Sequence, residues 1–341
     1  MDGATEASAF AWTTIALEEQ DEVLDDVVAW RPDTWPLWTA QAALLIQRFW
    51  APLLVCFGTI GNVFVIIVMG CTPKNRRVAT SVYLVAIAVI DILLLSILSL
   101  YWLTTEVLRA PIHGGRTCAI FSWLFHSASL TSNVLIVSMT IDRYIAVCHP
   151  VKAKVYCTHQ RAKLTIGLAA VCCVVYTIPY WMTARLTNHS VCTVMTIKSR
   201  AYTIYSWLTF ALKSAIPFCI LLAFNVAIIR GLRRAKAAVA DSKRGVAGRE
   251  GQLTVLLLMI TFTFILLTAP QHATHIYYMY TDQAASIEAY AQFMFASHLS
   301  NKLFYTNNAI NFLLLTVSGS KFRQDFKNLF CCGRKTQAPA H

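Results

Sequence analysis

The feature that most constrains this chain is a series of apolar runs, each about as long as the roughly 20 residues that a helix needs to cross a bilayer core. We number seven such runs as spans 1 to 7, near residues 49–70, 80–103, 119–141, 164–183, 203–229, 253–278 and 291–316. Only 13% of the residues are charged, whereas soluble domains carry about 25%. The sequence therefore predicts an all-α membrane protein.

The connections between the spans are short and polar, so all seven spans should pack into one bundle. We expect an N-terminal tail at 1–47 that is partly disordered, a seven-helix bundle at 48–318, and an amphipathic helix with a tail at 319–341. Met1 is followed by a polar, acidic segment instead of the basic start and apolar core of a secretory signal. Span 1 is therefore expected to direct membrane insertion.

The basic residues indicate the orientation of the bundle, because Lys and Arg near span ends are retained in the cytoplasm. They cluster after spans 1, 3 and 5 and in the C-terminal tail, whereas the N-terminal tail is acidic. Asn188 begins a glycosylation sequon between spans 4 and 5, which fits an extracellular loop. The net charge of +12 thus faces the anionic inner leaflet and cytoplasmic partners, and we do not expect nucleic-acid binding.

Two of the eleven cysteines stand apart from those in the apolar spans, where Cys behaves as a small hydrophobe. Cys118 begins span 3, and Cys192 lies in the loop between spans 4 and 5. Both are on the predicted extracellular side, which is oxidising. We predict that they form a disulfide, and two unpaired thiols are the alternative.

The end of span 3 carries Asp142, Arg143 and Tyr144, followed by residues 145–150, Ile-Ala-Val-Cys-His-Pro. This segment resembles the Asp-Arg-Tyr motif and following loop of rhodopsin-like (class A) G-protein-coupled receptors. Cys118 and Arg143 are 25 residues apart, about 37 Å along an α-helix. One helix should therefore join the predicted disulfide to this motif across the membrane.

The resemblance to this family covers about residues 48–332. It implies a plasma-membrane receptor with a seven-helix bundle, no enzymatic activity, an extracellular ligand, and a heterotrimeric G protein and arrestin as partners. It further implies that Arg143 pairs with Asp142 and with Glu250 at the start of span 6. These pairs would hold spans 3 and 6 together until activation opens a cytoplasmic cavity.

Asp91 stands alone in the middle of span 2, where an acid is costly unless it is functional or paired. It resembles the sodium-site aspartate of the family. Its expected companions, which would offer oxygen ligands to Na⁺ or a water network, are Asn62, Ser132, Asn307 and Asn311. A purely structural hydrogen-bond cluster is the alternative, and no other cofactor is expected.

Some motif positions keep the residues that the resemblance implies and others do not. The expected hinge residues in spans 5 and 6 are present as Pro217, Phe264 and Pro270. The family usually has Tyr, Trp, Pro and Tyr at four positions that here are Asn225, Thr268, Phe312 and Leu315. Because of these four departures, the activation pathway of the family is not carried over to this chain.

The outer halves of the spans indicate which ligands fit. Span 3 lacks the acid that a monoamine receptor needs. Lys302 lies nine residues before Asn311, about one turn too far outward for a retinal Schiff base, and Tyr305 occupies the expected position. The candidate ligand-binding residues are polar or aromatic, namely Glu106, His126, Lys213, His272, His275, Lys302 and Tyr305, and they suit a peptide or a small anionic ligand.

Lys213 is the sharpest of these candidates, because it interrupts an apolar helix about one turn outside Pro217 and should face the bundle. We expect it to meet a ligand carboxylate or Glu106. Snorkelling or a purely internal pair is the alternative.

The tail after span 7 has apolar residues at helical spacing with basic residues between them, which predicts an interfacial amphipathic helix on membrane lipid. Cys331 and Cys332 follow it and are candidates for S-palmitoylation, with free thiols as the alternative. Residues 307–323 resemble invertebrate FMRFamide-receptor-like neuropeptide receptors. The predicted function is a neuropeptide receptor; the alternatives are a chemosensory receptor for small anions, a retinal photoreceptor and a seven-helix transporter.

Overall fold

The computed structural model of the chain describes residues 42, 45–72, 78–108, 115–186, 192–194, 200–238, 245–280, 287–318 and 320–330, and the largest stretch without described side chains in these ranges is 245–258. The helices are α1 (Ala51–Cys71), α2 (Ala79–Trp102), α3 (Gly115–Cys148), α4 (Pro150–Tyr156), α5 (His159–Tyr176), α6 (Ile178–Thr183), α7 (Arg200–Phe210), α8 (Ile216–Ala238), α9 (Gly245–Tyr280), α10 (Ile287–Ala309), α11 (Asn311–Ser318) and α12 (Ser320–Phe330). Spans 1, 2, 3 and 6 are the single helices α1, α2, α3 and α9. Span 4 comprises α5 and α6, span 5 comprises α7 and α8, and span 7 comprises α10 and α11.

The expected all-α architecture is confirmed. Among the described residues, five segments are long and apolar enough to cross a membrane: Arg48–Cys71, Ala79–Trp102, Gly115–Cys148, His159–Thr183 and Arg200–Arg234. Large apolar side chains such as Phe57, Leu164 and Phe262 are mostly exposed on the outside of the bundle. Such a surface is expected of helices that face lipid and not water.

The spans form a closed ring. Span 1 packs on span 2, span 2 on span 3, span 3 on span 5, span 5 on span 6, span 6 on span 7, and span 7 returns to span 1, while span 4 packs on spans 2 and 3. Span 3 is one helix of 34 residues and packs mainly against spans 2, 4 and 5. We call the end of the bundle near Cys118 the outer end and the end near Arg143 the inner end.

Span 4 is interrupted near its outer end, which the sequence analysis did not anticipate. Its helix stops before Thr177 and resumes at Ile178, because Pro179 has no N–H to continue the hydrogen-bond ladder. The Thr177 hydroxyl donates to the Cys173 carbonyl at 2.8 Å. A short antiparallel hairpin follows, with β1 (Ala184–Leu186) paired to β2 (Cys192–Val194), and both strands contact span 3.

Span 5 contains a π-helical turn at Ala211–Ala215, just before Pro217. In an α-helix the N–H of a residue bonds the carbonyl four residues earlier, so the missing N–H of Pro217 leaves the Lys213 carbonyl without its usual donor. The Asn133 side-chain amide of span 3 donates to this carbonyl at 2.9 Å. A side chain of span 3 thus completes the backbone of span 5.

Span 7 is broken between Ala309 and Asn311 although the usual proline is absent. Phe312 occupies that position and packs against Gly61 of span 1, where an added Cβ would lie 2.8 Å from the Phe312 Cβ. We call the ring contacts around it the aromatic joint, which comprises Phe64, Phe312, Phe322 and Phe326. It connects span 1, span 7 and the amphipathic helix α12.

Candidate ligand-binding and switch sites

Lys213 is the centre of a polar cluster in the outer half of the bundle. Its side chain is 7% exposed, and its Nζ lies 2.8 Å from the His126 Nδ1. The Tyr180 ring stacks on His126 with centroids 3.5 Å apart, and its own centroid is 5.4 Å from Nζ. When Lys213 is an ammonium, which can only donate, the acceptor is the unprotonated Nδ1 of a neutral His126.

Tyr180 is held by aromatic and hydroxyl groups between spans 4 and 5. The Tyr205 ring lies 5.8 Å from the Tyr180 ring, and the Tyr205 hydroxyl donates to the Tyr176 carbonyl at 3.4 Å. Tyr176 in turn shares a hydrogen bond of 3.0 Å with Thr209. The sequence analysis missed Tyr180, and Pro179 beside it was the available signal, because a helix break redirects the residues that follow it.

The remaining ligand candidates occupy the neighbouring spans. The Tyr305 ring lies 5.7 Å from Phe125, next to His126 in sequence, and the His272 ring lies 6.1 Å from Phe210. Lys302 is half-buried in span 7. The side chains of Glu106 and His275 lie outside the described residues, so the expected contact between Glu106 and Lys213 stays a prediction.

Cys118 is fully buried and disulfide-bonded. The other cysteines with described side chains are free. The backbone of Cys192 lies in β2, opposite Leu186, but its side chain is outside the described residues. The pairing of Cys118 with Cys192 therefore stays a prediction, as does glycosylation of Asn188, which lies outside the described ranges.

The centre of the bundle is organised around Asp91, which is 0% exposed. The Asn311 amide donates to one carboxylate oxygen at 2.5 Å, and the Ser132 hydroxyl donates weakly to the other at 3.5 Å. Asn307 is buried as well, but no hydrogen bond joins it to Asp91 in the described part of the chain. Three spans, 2, 3 and 7, thus meet at this carboxylate.

A small cavity lies beside this centre. It is lined by Asn62, Asn311 and apolar residues of spans 1, 2, 3 and 6, and it has room for about one water molecule. The Asn62 amide donates to the Asn308 carbonyl at 3.0 Å, while the buried Asn62 Oδ1 has no hydrogen-bond partner among the described residues. Leu315, which replaces the usual tyrosine, forms part of the wall and is 2% exposed.

At the inner end, Asp142 is 8% exposed and lies close enough to Arg143 for the two charges to interact. The Cys157 thiol donates to the Asp142 carbonyl at 3.3 Å. Burial raises the pKa of the Cys157 thiol to about 11, so at neutral pH it stays protonated and able to donate.

Tyr144 turns toward span 5. Its hydroxyl lies 3.3 Å from the His149 Nε2, and its ring lies 4.8 Å from the ring of Phe224. The side chain of Glu250 is outside the described residues, and its pairing with Arg143 stays a prediction. Cys331 and Cys332 also lie outside them.

Two of the unusual residues have defined partners. The Asn225 amide donates to the Thr261 hydroxyl at 2.7 Å and joins spans 5 and 6. The Thr268 hydroxyl instead bonds within its own helix, to the Phe264 carbonyl at 2.6 Å. Phe264 is buried at 1% exposure, so this hinge candidate lies in the core between the Lys213 cluster and the inner end.

Comparison with known proteins places the chain among receptors. The human galanin receptor type 3 is 26% identical over 297 residues, which cover 83% of this chain and 78% of that receptor. The mouse growth hormone secretagogue receptor type 1 is 26% identical over 301 residues, covering 82% of each chain. The chicken thyrotropin-releasing hormone receptor is 36% identical over 129 residues, which are 36% of this chain and 32% of that receptor.

The predicted likeness to invertebrate FMRFamide-receptor-like proteins is not shown by these relatives. A sequence profile of the 7 transmembrane receptor family (rhodopsin family) matches residues 61–313, from span 1 to span 7. The chain is therefore a multi-pass membrane protein that belongs to the rhodopsin family of seven-transmembrane receptors.

Proposed function

We propose that this chain is a plasma-membrane receptor, without enzymatic activity, that binds an extracellular neuropeptide and activates heterotrimeric G proteins. The relatives that match most of its length are named for galanin and for a growth hormone secretagogue, which favours a ligand of this kind. The N-terminus would be extracellular and the C-terminus cytoplasmic. Asn188 would carry a glycan, and palmitoylated Cys331 and Cys332 would anchor α12 to the inner leaflet.

The observation that carries this proposal is the continuity of span 3. One unbroken helix carries His126 in the Lys213 cluster, Ser132 at the Asp91 centre and Arg143 at the inner end. Because a helix moves as a stiff element, displacement at His126 also moves Arg143. Ligand binding would shift the population toward an open inner end that accepts the G protein, and later arrestin.

Sodium is proposed as an allosteric ligand of the centre. The Asp91 carboxylate and the Ser132 hydroxyl are oxygen donors of the type that hard cations prefer, and the amide oxygens of Asn307 and Asn311 would complete the set. The unpartnered Asn62 Oδ1 beside them is consistent with an occupant that supplies a positive charge or a hydrogen-bond donor. A bound cation would partly neutralise Asp91.

The test is expression in cells with a promiscuous Gα and a screen of neuropeptides alongside small carboxylates. We expect a peptide response that disappears in Arg143→Ala while surface expression is unchanged. Lys152→Ala is the matched control, since it removes an exposed inner-end cation outside the motif. An unaltered response in Arg143→Ala contradicts the proposed switch.

A chemosensory receptor for small anionic ligands is the second candidate, favoured by the buried Lys213 cation. A response confined to the small carboxylates would select it over the neuropeptide receptor. A visible absorption band that is lost when Lys302 is changed would instead indicate a retinal protein.

A further inference from the structure

Lys213 is a buried basic side chain for which the described residues provide no anion. Within the described part of the chain, its Nζ contacts the His126 ring and the face of Tyr180. The carboxylates with described side chains lie elsewhere, at the centre, at the inner end and in α12, namely Asp91, Asp142 and Asp325. Burying an ammonium without a paired charge is costly, so this residue needs a reason to be where it is.

The position of the ammonium is fixed from two sides. Asn133 bonds the Lys213 backbone carbonyl, and His126 bonds its Nζ. Because His126 lies seven residues, about two turns, outward of Asn133 on the same helix, the Lys213 side chain extends toward the outer end. That is the direction from which an extracellular ligand would enter.

The surroundings of Lys213 supply two features of a binding site for an aromatic acid, namely a basic group and an aromatic surface next to it. Tyr180 is half-buried and its ring lies 5.4 Å from the Lys213 Nζ, while the half-buried Tyr205 ring packs against Tyr180. An imidazole nitrogen is a neutral acceptor, and a carboxylate forms a stronger, charge-assisted hydrogen bond with an ammonium. A carboxylate that replaced His126 as the acceptor would therefore gain binding free energy.

We infer that the ligand of this receptor presents a carboxylate next to an aromatic group, and that the carboxylate binds the Lys213 ammonium. This inference rests on the proposed receptor function and specifies its ligand class. The carboxylate would come from a peptide with a free acid or from a small aromatic acid. A peptide whose only candidate group is a C-terminal amide would lack the charge for this contact.

The inference is tested on the purified full-length receptor in lipid nanodiscs, by thermal unfolding with three probes. N-acetylphenylalanine represents a peptide C-terminus, N-acetylphenylalaninamide is the same molecule without the charge, and phenylacetate is a small acid without a peptide bond. We expect at least one acid to raise the Tm and the amide to have no effect. Stabilisation by N-acetylphenylalanine alone points to a peptide, and stabilisation by phenylacetate as well points to small acids.

Lys213→Gln should weaken binding of the stabilising acid by at least about 30-fold, in line with the loss of one partner of a buried charge pair. Lys213→Arg should retain part of it. Lys163→Gln is the control, because it removes an exposed cation at the inner end. The Tm of Lys213→Gln without probe checks that the variant folds, and Lys213→Met provides a second variant.

Absence of any difference between acid and amide on the unmodified receptor overturns the inference, whatever the variants do. So does an acid effect that is unchanged in Lys213→Gln. These measurements need no G protein, so their failure is distinct from failure of the proposed function. A cellular response that requires Arg143 and is indifferent to Lys213→Gln upholds the receptor function and rejects the carboxylate.

Discussion

Asp91 and Lys213 are both ionisable side chains buried inside membrane-spanning helices, at 0% and 7% exposure, yet their surroundings differ. Asp91 receives hydrogen bonds from Asn311 and Ser132. Among the residues with described side chains, Lys213 contacts the His126 imidazole and the face of the Tyr180 ring. The chain thus supplies its own hydrogen-bond donors to the carboxylate at its centre, whereas the described residues offer Lys213 no anion, as expected for a residue that meets a ligand.

The largest change in stability should come from removing Asp91, the hydrogen-bond acceptor at the centre of the bundle. Asp91→Ala is expected to be about 3 kcal/mol less stable than Asp91→Asn, because Ala leaves the buried amide of Asn311 and the hydroxyl of Ser132 without an acceptor. Asn keeps a carbonyl oxygen at the same place. Unfolding in detergent would measure both, and equal stability of the two variants would mean that Asp91 does not join the spans.

Close packing of spans 1 and 7 supports that same centre. Gly61→Ala should cost about 2 kcal/mol, since its Cβ would meet Phe312 at 2.8 Å and overpacking of a core costs about 1–3 kcal/mol. Gly167→Ala is the matched control, because nothing lies within 4 Å of its added Cβ. It should gain up to about 1 kcal/mol from helix propensity. Equal effects of the two substitutions would argue against the tight contact.

Substitution of Lys213 should change the free energy of unfolding in the opposite direction. Lys213→Met is expected to stabilise the unliganded protein by about 1.5 kcal/mol, because it removes a buried charge and keeps a long, unbranched side chain. Lys213→Arg retains the charge and should bring no gain. A clear loss of stability in Lys213→Met would show that the contact with His126 is structural. Lys213 would then stabilise the fold through its internal contacts, as Asp91 is expected to do.

The smallest effect concerns the backbone beneath Lys213. Asn133→Ala should cost about 1 kcal/mol by removing the donor to the Lys213 carbonyl. In a Pro217→Ala background the new N–H can bond that carbonyl, so the same substitution should cost less. A double-mutant cycle measures the coupling free energy. Simple additivity would indicate that Asn133 does not compensate for Pro217.

The sequence predicted much of this arrangement, for physical reasons that differ between residues. The spans were visible because a bilayer demands long apolar runs, and Asp91 and Lys213 were conspicuous because charges are rare in such runs. The partnership of Asp91 with Asn311, 220 positions away, came from the family resemblance. The run itself gave no sign of it.

What could not be predicted depends on how helices rotate and bend. The π-helical turn of span 5 changes which residues face inward, and no pattern of residue types in the sequence predicts it. The stacking of His126 on Tyr180 involves a residue that follows the break in span 4, which the sequence analysis did not place. The hairpin that carries Cys192 was also missed, since strands of three residues are too short to show alternation.

The aromatic joint has a mechanical consequence for the whole receptor. The rings of Phe322 and Phe326 in α12 pack against the ring of Phe312. Phe312 directly follows Asn311, whose amide donates a hydrogen bond to Asp91. A change in bilayer thickness or curvature that tilted α12 would displace Phe312. This displacement would alter the hydrogen bond between Asn311 and Asp91. With α12 in the predicted position at the membrane surface, the geometry of the Asp91 centre would depend on the bilayer as well as on the ligand.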